Sequence, residues 1–169
     1  MKRERSTKRR KNEERVLIHH RKFAVELFNR AWTLMEKKDR TLEENDEMIH
    51  TAHASRYYWG KVGKAFNLAR GEWQISRVYS VLGMPSPALY HAQRCLDYCS
   101  SGDVEDWDVP FAYEALARAS AVAGKRRDRA KYLKLASSLG AKIRNSQDRK
   151  LLFNDLRSVP EVRDHQGIT

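Results

Sequence analysis

Two stripes of side chains have spacings that chemistry could use. Arg70, Trp73 and Arg77 stand three and four residues apart, so on a helix they share one side, with two guanidinium forks around an indole. Forks of that kind match carboxylate or phosphate, and the indole offers a stacking plate. Asp46, His50, His53 and Tyr57 form the second stripe, in which Glu47-x2-His50 matches the Glu-x-x-His unit of di-iron bundles. No second Glu-x-x-His exists in the sequence. His50 and His53 would supply two ligands of a zinc site, to be completed by His19, His20 or His91. Paired histidines on a helix are more often a hydrogen-bonded packing edge, so neither a metal ligand nor a cofactor is assigned. His50, His53 and Tyr57 are read as seating the second helix beside the first or as rimming a groove.

Nucleophilic catalysis finds no support. Ser76 and Ser80 have no His partner in a readable motif, and Cys95 and Cys99 lie four apart rather than in a Cys-x-x-Cys pair. A Gly-rich phosphate loop is absent. The acids Asp103, Glu105, Asp106 and Asp108 lack the Gly and terminal Glu of a calcium loop, and are free to attract a basic segment. The expectation is a protein that is not an enzyme.

The 169 residues suffice for one domain with a sizeable core. Hydrophobic residues make up 41% and charged residues 33%, with Gly and Pro scarce, a helix-leaning balance. No apolar run approaches the ~20 residues of a membrane span. The basic N-terminus has no apolar segment behind it and is not a secretory signal. Two cysteines four apart make no disulfide framework, so a reducing cytoplasm is expected. The net charge of +11 is uneven, with clusters in residues 2–15 and in KRRDRAK at 125–131. Such clusters fit an acidic partner, and nucleic acid is the rival reading to a protein or peptide.

Something must hold these stripes in place, and the pattern is helical throughout. Residues 1–11 read as a disordered basic tail, 12–157 as one domain and 158–169 as a flexible tail. Helices are expected at about 12–38, 42–60, 67–82, 86–100, 110–123, 127–139 and 146–157. Thr41 with Glu44 makes a capping box, and Pro85 and Pro87 open the fourth helix. The apolar side of the first helix reads Val16, Phe23, Leu27, Ala31 and Leu34, and that of the third Leu68, Ile75, Val78, Tyr79 and Leu82. No period-two strand pattern appears. Gly83 and Gly124, each ending the first helix of a pair, lie 41 residues apart, a period that indicates stacked hairpins.

Tyr79-x3-Gly83-x4-Ala88, followed by Ala92 and Cys95, resembles the core of a tetratricopeptide repeat, and Ala115 to Ala136 around Gly124 is a weaker match. The family's Pro after the second helix is replaced by Ser100 and Gly140. The resemblance covers about 70 residues well. It implies an all-α, right-handed solenoid of about three antiparallel hairpins plus a C-terminal helix, with first helices lining a concave groove. Aligned on Gly83, Arg70, Trp73 and Arg77 face that groove, and the same offsets from Gly124 give Phe111, Glu114 and Arg118. The expected function is binding of an acidic peptide or protein there, with Trp73 outside the core and the arginines open to the partner.

Overall fold

The computed structural model describes residues 2–162, and among these the chain is all-α. Seven helices follow in order: α1 Lys2–Glu36, α2 Leu42–Val62, α3 Ala65–Val81, α4 Pro85–Ser101, α5 Asp108–Val122, α6 Arg126–Gly140 and α7 Ser146–Arg157. Their most extensive contacts are α1 with α2, α3 with α4 and α5 with α6. Neighbouring hairpins meet through α2–α3, α4–α5 and α3–α5, and α7 covers α5 and α6. No described helix is long and apolar enough to cross a membrane.

Local chemistry sets the boundaries. Thr41 Oγ1 accepts from the Glu44 amide while the Glu44 carboxylate accepts from the Thr41 amide, the expected capping box. Asn145 caps α7 by accepting from the Gln147 and Asp148 amides. Gly83 and Gly124 have φ of +68° and +71°. In each, the following residue's amide reaches back five positions, Met84 to Tyr79 at 2.9 Å and Lys125 to Ser120 at 2.8 Å. These are two copies of one helix-ending motif that needs a left-handed residue. The 41-residue repeat is thus a repeat of backbone hydrogen bonding as well as of sequence.

The core lies between hairpins. Ala31, Leu34, Met48, Ala52, Ile75 and Val78 join α1, α2 and α3. Ala88 and Ala92, both fully buried, let α4 approach α5 through Ala115 and Ala119. The two turns are equal in length, so the position equivalent to Ala88 is Arg129, and Ala130 next to it is exposed.

Three expectations are corrected. Residues 2–11 continue α1 as helix, because Lys, Arg and Glu are good helix formers and Arg9 pairs with Glu13 one turn on. Val16 and Phe23, read as core, are about two-fifths exposed, whereas Ala24 takes the buried position. Residues 158–162 dock rather than hang free: Val159 packs on Ala117 and Ala121, and Arg129 donates to the Pro160 carbonyl. The rest of that expected tail, 163–169, lies outside the described residues.

An added Cβ at Gly83 or Gly124 meets nothing within 4 Å. Gly83→Ala and Gly124→Ala should therefore cost backbone strain alone, about 1–2 kcal/mol each. Urea unfolding of the two variants checks this, and equal losses are expected because the two turns are equivalent.

Candidate functional site

The two offset sets do come together. Glu114, fully buried on α5, is the centre. Its Oε2 accepts from the Trp73 indole N–H at 3.0 Å, and its Oε1 accepts from Arg77 at 3.0 Å and Arg118 at 2.8 Å. Arg77 spans on to Asp155 of α7 at 3.1 Å. Arg118 also donates to the Asp155 and Ser158 carbonyls, so it ties the chain after α7 to α5. Arg70 makes a two-pronged pair with Asp108, at 2.8 and 3.1 Å, and lies 4.0 Å from the centre of the Trp107 ring. Asp108 is held in turn by the Glu105 amide.

Arg70, Trp73, Arg77, Phe111, Glu114 and Arg118 thus form one cluster, but they face each other. The expectation of guanidinium forks open to a partner's carboxylates is corrected: this chain's own Asp108, Glu114 and Asp155 occupy them. Three arginines face three carboxylates, so the cluster has no formal net charge. Trp73 is not outside the core either, since it packs on three apolar clusters. Burial pushes the Asp155 carboxyl above its ordinary range against the pull of Arg77, and pushes the Arg118 guanidinium down.

Against the cluster lies a cavity of about 370 Å³. Its walls are a run of rings in edge or tilted contact: Phe28 to Trp32, Trp32 to Trp73, Trp73 to Phe111 and Phe111 to Trp107. Leu151 of α7, 54% exposed, stands at the lining's outer edge, and Cys95 of α4 contributes from the buried side. Hydrogen bonding to Cys99, with burial, holds the Cys95 thiol well above its ordinary value, the opposite of an activated nucleophile.

The period that relates Gly83 to Gly124 also relates Trp32, Trp73, Glu114 and Asp155, each 41 residues after the last. Carrying the offset one repeat in each direction would have found Trp32 and Asp155. Phe28, Trp107 and Asp108 carry no such signal, because Trp107 and Asp108 sit where an irregular loop turns into α5.

The histidine stripe separates. His50 and Tyr57 are exposed, and Glu47 pairs with Arg30. His53 turns inward to the Tyr79 hydroxyl at 3.0 Å, with His91 edge-on at 5.2 Å. His91 donates to Glu72 at 2.6 Å, and Glu72 accepts from Arg56 at 2.9 Å. This is a hydrogen-bonded packing edge between α2, α3 and α4. Among the described residues no group of three or more His, Cys, Asp or Glu is gathered as a metal site. The loop acids hold the fold, with Asp106 accepting from the Arg144 backbone and side chain. Of the basic run 125–131, Arg129 is committed to Pro160 and Glu161. No protein-family model matches this chain, and no curated protein or solved structure matches it.

Two predictions follow from these contacts. Glu114→Ala leaves Arg77 and Arg118 facing each other without their shared carboxylate, and should destabilise the fold by about 3–5 kcal/mol in urea unfolding. Burial, with His91 beside it, pushes the His53 imidazole below its ordinary range although Glu72 pulls it up. A depressed folded value means that stability is present above the unfolded value and is lost as pH falls below about 6.5. His53→Gln keeps a hydrogen-bonding group for Tyr79, so it should lose less stability than wild type between pH of about 7.5 and about 5.

Proposed function

We propose that this chain is a tetratricopeptide-like, right-handed helical-repeat module without catalytic activity. It binds a segment of a protein partner on its concave side, through an apolar or aromatic side chain inserted in the cavity. The observation that carries this reading is the cavity itself: ring-lined, open beside Leu151, and backed by charges that are already neutralised. A volume of about 370 Å³ lies at the small end of ligand pockets and suits one large side chain. Aromatic anchors in such pockets dominate interface energetics. Acidity in the partner, first expected from Arg70 and Arg77, is now asked for by the net charge of +11, which steers an acidic chain toward the surface. The cytoplasm suits the two free cysteines, Cys95 and Cys99.

Trp32, Trp73 and Trp107 line the cavity, so occupancy is readable from intrinsic fluorescence. N-acetyl-phenylalaninamide, at about −0.3 kcal/mol per heavy atom, should bind with a Kd of order 1 mM and change the emission saturably. Leu151→Trp, which fills the opening from an exposed position, should weaken it about tenfold, or ~1.4 kcal/mol. An emission that does not saturate, or an unchanged Kd in the variant, would contradict the reading.

A further inference from the structure

We propose that the partner segment is an acidic amphipathic helix seated lengthwise along α1, in a trough that opens from the aromatic cavity. This rests on the reading above and names its partner. Helix α1 packs along α2 and, through Phe28 and Trp32, against α3, yet it carries more apolar surface than these two neighbours cover. Ala24, Ala31 and Leu34 form one stripe and are buried. At about 100° per residue, Leu17, Ile18, Arg21, Val25, Phe28 and Trp32 share an adjoining arc of about 100°. Of these, Leu17, Ile18 and Val25 are 49%, 61% and 42% exposed.

The hollows along this arc share walls. The cavity and the next hollow both use Phe28 and Arg70, and that hollow and the one beyond it both use Val25. The last two share Ile18 and Arg21, and Lys61 and Val62 at the end of α2 close the far wall. From Trp32 to Glu14 the trough follows α1 over eighteen residue steps. At 1.5 Å per residue this is about 27 Å, the length of a helix of about five turns. Apolar positions at spacings of three, four and seven are what the face of a second helix packs against.

Charge decides the occupant. Arg9 is paired with Glu13 and Lys22 with Glu26. Arg10 and Arg21 on the arc, and Lys11 and Arg15 beside it, have no ion pair among the described residues, and they outnumber Glu14, the acid on the same arc. An acidic helix supplies their counter-charges. A second copy of this chain would set the same cations against each other, and a nucleic acid would leave Leu17, Ile18 and Val25 without apolar contact.

The test is a phage-displayed library of random peptides of about 20 residues, selected on the full chain at about 0.15 M salt. Selected peptides are synthesised and titrated by fluorescence anisotropy against wild type and three variants, each checked for retained fold by circular dichroism. The variants are Leu17→Ser with Ile18→Ser and Val25→Ser, Arg10→Glu with Arg21→Glu, and Leu151→Trp. The expected result is net-negative peptides with apolar residues at helical spacing, which become helical on binding. They should lose about tenfold or more in affinity for both α1 variants. Failure to enrich such peptides, or equal affinity for the triple serine variant, would overturn the proposal. Peptides weakened only by Leu151→Trp would sink the α1 seat and leave the cavity reading standing. Peptides weakened only by the α1 variants would keep the seat and sink the cavity reading. A duplex oligonucleotide that binds more tightly than any selected peptide and ignores the serine variant would also overturn it.

Discussion

One carboxylate organises the packing of α3, α5 and α7. Glu114 has no solvent contact, and its two oxygens take three donors from two helices: Trp73 and Arg77 of α3, and Arg118 of its own α5. A buried anion is tolerated only when its lone pairs are filled by well-aimed donors, and this one is. Through Arg77 and Arg118 the same contact reaches Asp155 and Ser158, so α7 and the segment after it are fixed by it too. The Trp73 ring is held by this bond and by its contacts with Trp32, tilted, and Phe111, at right angles. The shape of the aromatic cavity follows from that anchoring.

The same arrangement bears on the partner proposed above. Cations aimed outward would favour a partner's carboxylates. Aimed inward and paired, they are neutralised within the chain, and the cavity beside them is lined mostly by aromatic rings. Unpaired positive charge survives farther along α1, at Arg10, Lys11, Arg15 and Arg21.

Much of this was legible in the residues. Helix number and type followed from apolar spacing, and the caps at Thr41, Gly83 and Gly124 stand where turn chemistry puts them. Offsets from the two glycines gathered Arg70, Trp73, Arg77, Phe111, Glu114 and Arg118 correctly into one place. They could not tell whether those residues faced out or in. That depended on Asp108 in a loop and Asp155 on α7, carboxylates whose positions are set by tertiary packing. His53 is the packing edge expected, but against other helices than the first: a stripe on one helix does not say which neighbour it meets, and Tyr79 and His91 come from α3 and α4.

The account turns on whether Trp73 and Glu114 are bonded in the interior, and amide-type hydrogen exchange at the Trp73 indole N–H reports this directly by NMR. A donor held at 3.0 Å from a fully buried carboxylate should exchange only as the surrounding helices open, at rates comparable with the backbone amides of α5. Exchange as fast as that of a free indole would contradict the account. It would mean that Glu114 turns outward and that Arg77 and Arg118 are available to carboxylates of a partner.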